Sequence, residues 1–134
     1  MNRVLDACAM IAFLRDEPGA EVVEAILTHL TDRYFAHAVN LCEVYYDFLR
    51  SSDVRTARMA IEDLERVGVR TRRDMGRAFW QRVGDLKGTI QKISLADCFS
   101  VALSEKLARD VVTSDHREFD TLVEAKLARI TFIR

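Results

Sequence analysis

The sequence predicts an α/β domain built on a central, mostly parallel sheet of about four or five short strands flanked by helices. Three observations carry this expectation. Short β-type runs alternate with longer helical ones along the 134 residues, the pattern of a doubly wound parallel sheet. A composition of 49% apolar and 31% charged residues suits one globular unit with one modest core, so residues 1–134 are read as a single domain. No repeat, low-complexity tract or linker interrupts the alternation.

The elements follow in order. Arg3, Val4 and Leu5 read as a short strand ending at Asp6. Met10, Ile11, Phe13 and Leu14 mark a short buried helix stopped by Pro18 and Gly19. Val22, Val23, Ile26, Leu27 and Leu30 recur at helical spacing. Arg33 to Ala36 is a second short strand, and Leu41, Val44, Tyr45, Phe48 and Leu49 form one apolar helix face. Ser52 and Asp53 cap a helix carrying Met59, Ile61, Leu64 and Val67, which Gly68 ends. Val69 to Thr71 is a strand; Met75, Phe79, Trp80, Val83 and Leu86 mark a helix closing near Gly88. Leu95, Phe99, Ala102, Leu103 and Leu107 give the strongest amphipathic helix. Asp110 to Thr113 is a strand, a short helix spans Phe119 to Leu127, and Ile130 to Phe132 closes the sheet.

That layout decides where chemistry can sit. In open α/β sheets, ligands bind outside the carboxyl ends of the strands, near a topological switch point. Asp6 ends the first strand, and Asp115 lies two residues past Thr113. Glu43 and Asp97 fall in first turns of helices, which begin at that same edge. Taken singly, each acid has a plain structural explanation. Asn40 to Glu43, Ser94 to Asp97 and Asp115 to Glu118 fit the capping-box spacing, and Asp6 suits the N-cap of a helix beginning near Ala9. Capping does not explain why most strand ends should carry an acid. Two carboxylates about 5 Å apart repel by about 3 kcal/mol at an effective dielectric near 20. Four together therefore call for a hard divalent cation. An all-oxygen site suits Mg²⁺ or Mn²⁺, which activates a water and neutralises charge on a scissile phosphate.

Charge is unevenly spread beneath a formal net of −1. Residues 1–69 hold seven basic and twelve acidic side chains, whereas residues 70–92 hold seven basic against Asp74 and Asp85. Clustering of this kind is usually a solvated helix face. Placed beside an acidic metal site, it also suits a polyanion. Arg72, Arg73 and Arg77 are the candidate contacts to such a polyanion, an RNA for example, with Trp80 available for stacking and Phe79 better suited to a core.

The motifs resemble those of PIN domains, in the family's order and over residues 3 to 133. Val4 to Ile11 resembles the opening strand and its acid, and Asn40 to Val44 the second acidic motif. Ile93 to Cys98 and Val112 to Asp120 resemble the third and fourth. The resemblance implies a PIN-like three-layer sandwich and a Mg²⁺- or Mn²⁺-dependent ribonuclease, similar to VapC-like toxins of bacterial toxin–antitoxin pairs. It implies Asp6, Glu43, Asp97 and Asp115 as catalytic acids, with Asp6, Asp97 and Asp115 on the metal. It further implies a homodimer inhibited by a small antitoxin. Asn40, Thr113, Ser114 and Asp120 are supporting candidates around that set, Asp120 being the rival to Asp115. One departure stands out: the family carries Thr or Ser just after the first acid, where this chain has Ala7 and Cys8. It leaves room for a catalytically silent RNA- or protein-binding module.

The other readings have less to support them. An aspartyl-phosphate phosphatase wants an acid where Cys8 stands, and a receiver domain wants paired N-terminal acids and a late lysine. Cys8, Cys42 and Cys98 are odd in number and set among apolar residues, which reads as buried, reduced thiols. His29 and His37 have no partner at metal-ligand spacing, and His116 suits the surface. No apolar run reaches bilayer length, and Asp6 comes before any signal-peptide apolar region could form, so a cytoplasmic protein without membrane contact is expected.

Overall fold

Val4 and Leu5 are both fully buried, yet they belong to different cores. Successive side chains of a strand point to opposite faces of its sheet, so this pair requires a sheet covered on both sides. The computed structural model describes residues 1–107, 110–116, 119–120, 123 and 129–134. Its strands are β1 (Asn2–Leu5), β2 (Arg33–His37), β3 (Val69–Arg72), β4 (Asp110–Thr113) and β5 (Ile130–Phe132). They pair parallel throughout, in the order β3-β2-β1-β4-β5. The register sets Val4 beside Phe35 and Val111, and Leu5 beside Val112.

The helices are α1 (Ala7–Leu14), α2 (Ala20–Leu27), α3 (Ala38–Ser51), α4 (Val54–Arg66), α5 (Arg77–Thr89) and α6 (Leu95–Leu107). Leu5, Tyr34, Ala36, Val69 and Val112 form one core with Met10, Val23, Leu41, Val44 and Leu64 of α1 to α4. Val4, Phe35 and Val111 form the other with Phe79, Val83 and Leu86 of α5 and Phe99 and Leu103 of α6. The three-layer α/β sandwich expected from the alternation is therefore the fold.

Two glycines fix chain direction. Gly19 has φ 98° and lies so close to Ile133 that an added Cβ would stand 2.9 Å from its carbonyl oxygen; only glycine fits there without strain. Gly68, at φ 101°, turns the chain out of α4 into β3 as the sequence suggested.

Several expectations change. The second helix stops at Leu27, and Leu30 is fully exposed. The Tyr34 hydroxyl bonds to the Ile26 and His29 carbonyls and the Thr28 hydroxyl to that of Ala25, satisfying the helix end before Leu30. Met75 precedes α5 and is half exposed, as is Trp80; only Phe79, Val83 and Leu86 point inward. Helix α6 is not the most amphipathic element, because every residue from Asp97 to Ser104 is buried. It lies under α3 and α5 and against the sheet, so little of it meets water. The helix expected over 119–127 falls largely outside the described residues.

The topology also fixes where a ligand would sit. From β1 the chain moves outward through α1 and α2 to β2, then through α3 and α4 to β3. It returns through α5 and α6 to β4, on the other side of β1. The order reverses between β1 and β4, and the crevice outside their carboxyl ends is the place such sheets use for ligands. No described helix is long and apolar enough to cross a membrane.

Candidate functional site

Asp6 is the first residue after β1 and stands at that switch point. Its amide donates to the Val112 carbonyl at 3.2 Å, continuing the β1–β4 ladder by one residue. Its side chain caps α1, Oδ1 accepting from the Ala9 amide at 2.9 Å. The capping role read from the sequence holds, with the helix starting at Ala7 rather than Ala9. Capping occupies one oxygen only. Oδ2 is buried and makes no hydrogen bond among the described residues.

An ionised carboxylate without water or a partner is costly. Burial is the chief reason that the Asp6 pKa rises to about 7. The Thr113 hydroxyl and the Ala9 amide pull it down, while the Asp115 and Glu43 carboxylates push it further up. The Thr113 hydroxyl lies beside the carboxyl, but falls short of a hydrogen bond to Oδ2. Thr113 itself is fully buried, and its oxygen accepts from the Asp115 amide at 2.9 Å. It thus joins the rims of β1 and β4.

Cys8 registers the whole cluster. Its thiolate is disfavoured first by lost hydration and then by the carboxylates of Asp6, Asp97, Asp115 and Glu43. All four sequence-predicted acids therefore act on one atom, from two strand ends and two helix starts. Cys8 and Cys42 nevertheless keep accessible surface, and only Cys98 is buried. The expectation of three buried thiols is corrected: the inward positions of α1 belong to Ala7, Ala9, Met10 and Ala12, which leaves Cys8 on the acidic side.

Glu43 and Asp97 owe their places to polar residues one helical turn away. Asn40 is not the N-cap of α3; His37 is, its Nδ1 accepting from the Val39 amide at 3.1 Å. Asn40 instead sits inside the first turn, fully buried, and donates through Nδ2 to the Ala96 carbonyl at 3.0 Å and to Glu43 Oε1 at 3.4 Å. Its Oδ1 accepts from the Ser100 hydroxyl at 2.8 Å. Residues three apart share a helix face, so Asn40 and Glu43 on α3 meet Asp97 and Ser100 on α6. Ser94 accepts from the Asp97 amide at 3.1 Å, as the capping spacing suggested.

Ser100 and His37 were not singled out by sequence. Ser100 lies three residues from Asp97, a spacing that was available as a signal. His37 had none, because its partners are distant in the chain: Nε2 meets the Asp74 carbonyl at 2.8 Å, and the ring stacks on Phe79 at 5.4 Å.

Asp120 is exposed and meets His116 Nδ1 at 3.2 Å. That imidazole stacks on Phe132 at 3.8 Å and contacts the Arg134 carbonyl at 2.7 Å, so Asp120 is engaged at the chain's end. Asp115, not Asp120, is among the charges acting on Asp6. Ser114 is half-buried. In the basic segment, Arg72 forks onto Asp74 at 2.8 and 3.0 Å and lies over the Phe35 ring. Lys106 also pairs with Asp74, and these two cations hold its carboxyl well below the usual range. Arg73 and Arg77 are exposed.

Among the described residues, no group of three His, Cys, Asp or Glu side chains is arranged to hold a metal by itself. The cluster gathers charge rather than closing a shell. A hard divalent cation of the Mg²⁺ type keeps several waters, so it does not require the side chains to close its shell. A buried oxygen without a hydrogen bond among the described residues, in a strongly negative setting of carboxylates, matches what such a cation accepts.

The chain belongs to the PIN domain family, whose sequence model matches residues 3–124. No curated protein sequence matches it significantly. Among solved structures, VapBC-1 of nontypeable Haemophilus influenzae superposes with a TM-score of 0.74 at 18% identity, over 99% of this chain and 98% of that one. VapBC2 of Rickettsia felis, bound to a promoter DNA fragment, gives 0.75 at 13% identity, over 98% of each chain. VapC20 of Mycobacterium tuberculosis, a toxin that cleaves the sarcin–ricin loop, gives 0.70 at 13% identity, over 89% of this chain and 94% of that one. At such identities the likeness is one of fold.

Proposed function

We propose that this chain is a metal-dependent endoribonuclease and the toxin of a type II toxin–antitoxin pair. The observation that carries the reading is Asp6: a buried carboxylate at the switch point, one oxygen without a hydrogen bond among the described residues, amid the charges of Glu43, Asp97 and Asp115. A fold-stabilising cap needs one oxygen; the second suits a ligand. Family membership and the VapC-like fold support the same class.

In this reading Asp6, Asp97 and Asp115 hold Mg²⁺ or Mn²⁺. When bound, the ion supplies a water of lowered pKa and neutralises charge on the scissile phosphate. Glu43, its carboxylate steadied by the Asn40 amide, accepts the proton of the attacking water. A new P–O bond forms from that water as the ester P–O bond breaks, and the leaving oxygen takes a proton from solvent. Arg73 and Arg77 contact the RNA backbone, while Arg72 braces β3 through Asp74. The partners are an RNA, a small antitoxin and a second copy of the chain; the compartment is the cytoplasm.

Purified protein is incubated with structured RNA and Mn²⁺ or Mg²⁺, beside EDTA, Asp6→Asn and Asp97→Asn controls. Cleavage is expected only with metal and wild-type acids. Cleavage surviving both substitutions would betray a contaminant and sink the assignment. Ala7 and Cys8, standing where the family carries a hydroxyl, favour one second reading: a silent PIN module that binds RNA without cutting it. Metal-independent RNA binding with no cleavage of any RNA would favour that module.

A further inference from the structure

We infer that Ser100 is a positioning residue for the acidic site, setting the Asn40 amide so that α3 and α6 present Glu43 and Asp97 at a fixed separation; the inference rests on the ribonuclease reading above. Ser100 and Asn40 are both fully buried. The direction of their bond is fixed by chemistry. Asn40 Oδ1 only accepts, so the Ser100 hydroxyl must donate. With Oδ1 committed to α6, the amide NH₂ faces the Ala96 carbonyl and Glu43 Oε1. The reversed amide would turn an oxygen toward a carbonyl and a carboxylate, leaving two acceptors opposed. Without the Ser100 hydroxyl, Oδ1 loses that partner and the amide is tethered to α6 through its NH₂ alone.

The bond also spans helices. It joins α3 to α6 across 60 positions of sequence, three residues from Glu43 on one helix and three from Asp97 on the other. The Ala96 carbonyl that Asn40 holds belongs to the residue before Asp97. Ser104, one turn further along α6, makes the useful contrast. It is also buried, but its hydroxyl donates to the Val101 carbonyl at 2.7 Å, a bond within its own helix. A buried hydroxyl on α6 is therefore present in both cases; only Ser100 reaches the site.

The test compares Ser100→Ala, Ser100→Cys and Ser104→Ala in the full chain. Mn²⁺ affinity is measured by electron paramagnetic resonance titration, with kcat and KM on one RNA. Removing a support of a metal ligand typically weakens affinity or activity by about 10- to 100-fold. We expect S100A to bind Mn²⁺ about tenfold more weakly and to lose kcat with little change in KM. S104A should stay within about twofold of wild type. S100C, which keeps a weak donor, should fall between, and decides the matter if S100A folds poorly. Equal Mn²⁺ affinity and kcat in the Ser100 and Ser104 variants overturns the inference while leaving the ribonuclease reading intact. A wild-type chain that binds no Mn²⁺ and cuts no RNA overturns both.

Discussion

Replacing Asp6 by Asn tests the electrostatics of the site without touching its shape. The asparagine oxygen can still accept from the Ala9 amide, so the cap on α1 survives. What disappears is the charge. In the fold the Asp6 pKa is raised from 3.8 to about 7, chiefly by burial. A raised acid is held more tightly as the protonated form by the folded chain. Its stabilising contribution is complete below about pH 3.8, falls as pH climbs, and is gone above about pH 7. At 1.36 kcal/mol per pKa unit, ionising Asp6 in the metal-free protein costs about 4 kcal/mol at pH 8 and under about 2 kcal/mol at pH 5. In EDTA, Asp6→Asn should therefore stabilise the protein at pH 8, by roughly 2–4 kcal/mol once imperfect pairing of the new amide is allowed for. At pH 5 the gain should shrink by at least half. Urea unfolding at the two pH values measures both. Millimolar Mn²⁺ should reverse the ranking at pH 8, stabilising wild type and not the variant. A variant that is less stable than wild type by the same margin at both pH values would refute the reasoning, since the carboxylate would then bear no ionisation penalty.

Three further outcomes follow from the same geometry. Asn40→Ala leaves the Ser100 hydroxyl and the Ala96 carbonyl without their buried partner, so it should cost about 2–3 kcal/mol in urea unfolding; a loss below 0.5 kcal/mol, an order-of-magnitude surface value, would count against that network. Arg73→Ala with Arg77→Ala should weaken RNA binding and lower the slope of log Kd against log salt by about 1–2. Arg72→Ala should act mainly on thermal stability, because its guanidinium already serves Asp74; a slope change confined to Arg72→Ala would invert those roles. Finally, Cys8 should react with iodoacetamide more slowly than Cys42 at pH 8, although both reach the surface, because lost hydration and then the neighbouring carboxylates oppose its thiolate. Mn²⁺ should narrow the gap, as mass spectrometry of the alkylated sites would record.

Much of the architecture was legible in sequence because it rests on local pattern. The alternation of short β-runs with helices predicts a parallel sheet, and the boundaries at Asp6 and Gly68 coincide with a cap and a turn encoded within a few residues. The four acids were legible for the same reason: strand ends and helix starts of a parallel sheet share one edge, so their convergence follows from topology. What sequence could not supply is whatever depends on residues far apart. Whether Cys8 and Cys42 were covered depended on the side of each helix that faced a core. Leu30 was excluded from α2 by Tyr34, a partner outside the helix. Asp74, which takes Arg72 out of the exposed basic patch, is itself held by Lys106 from another element. The Asn40–Ser100 bond crosses 60 residues. Helical period and capping act over one turn and are written in the chain. Burial, amide orientation and the raised Asp6 pKa arise when separate elements exclude water from one another, and only the tertiary structure decides them.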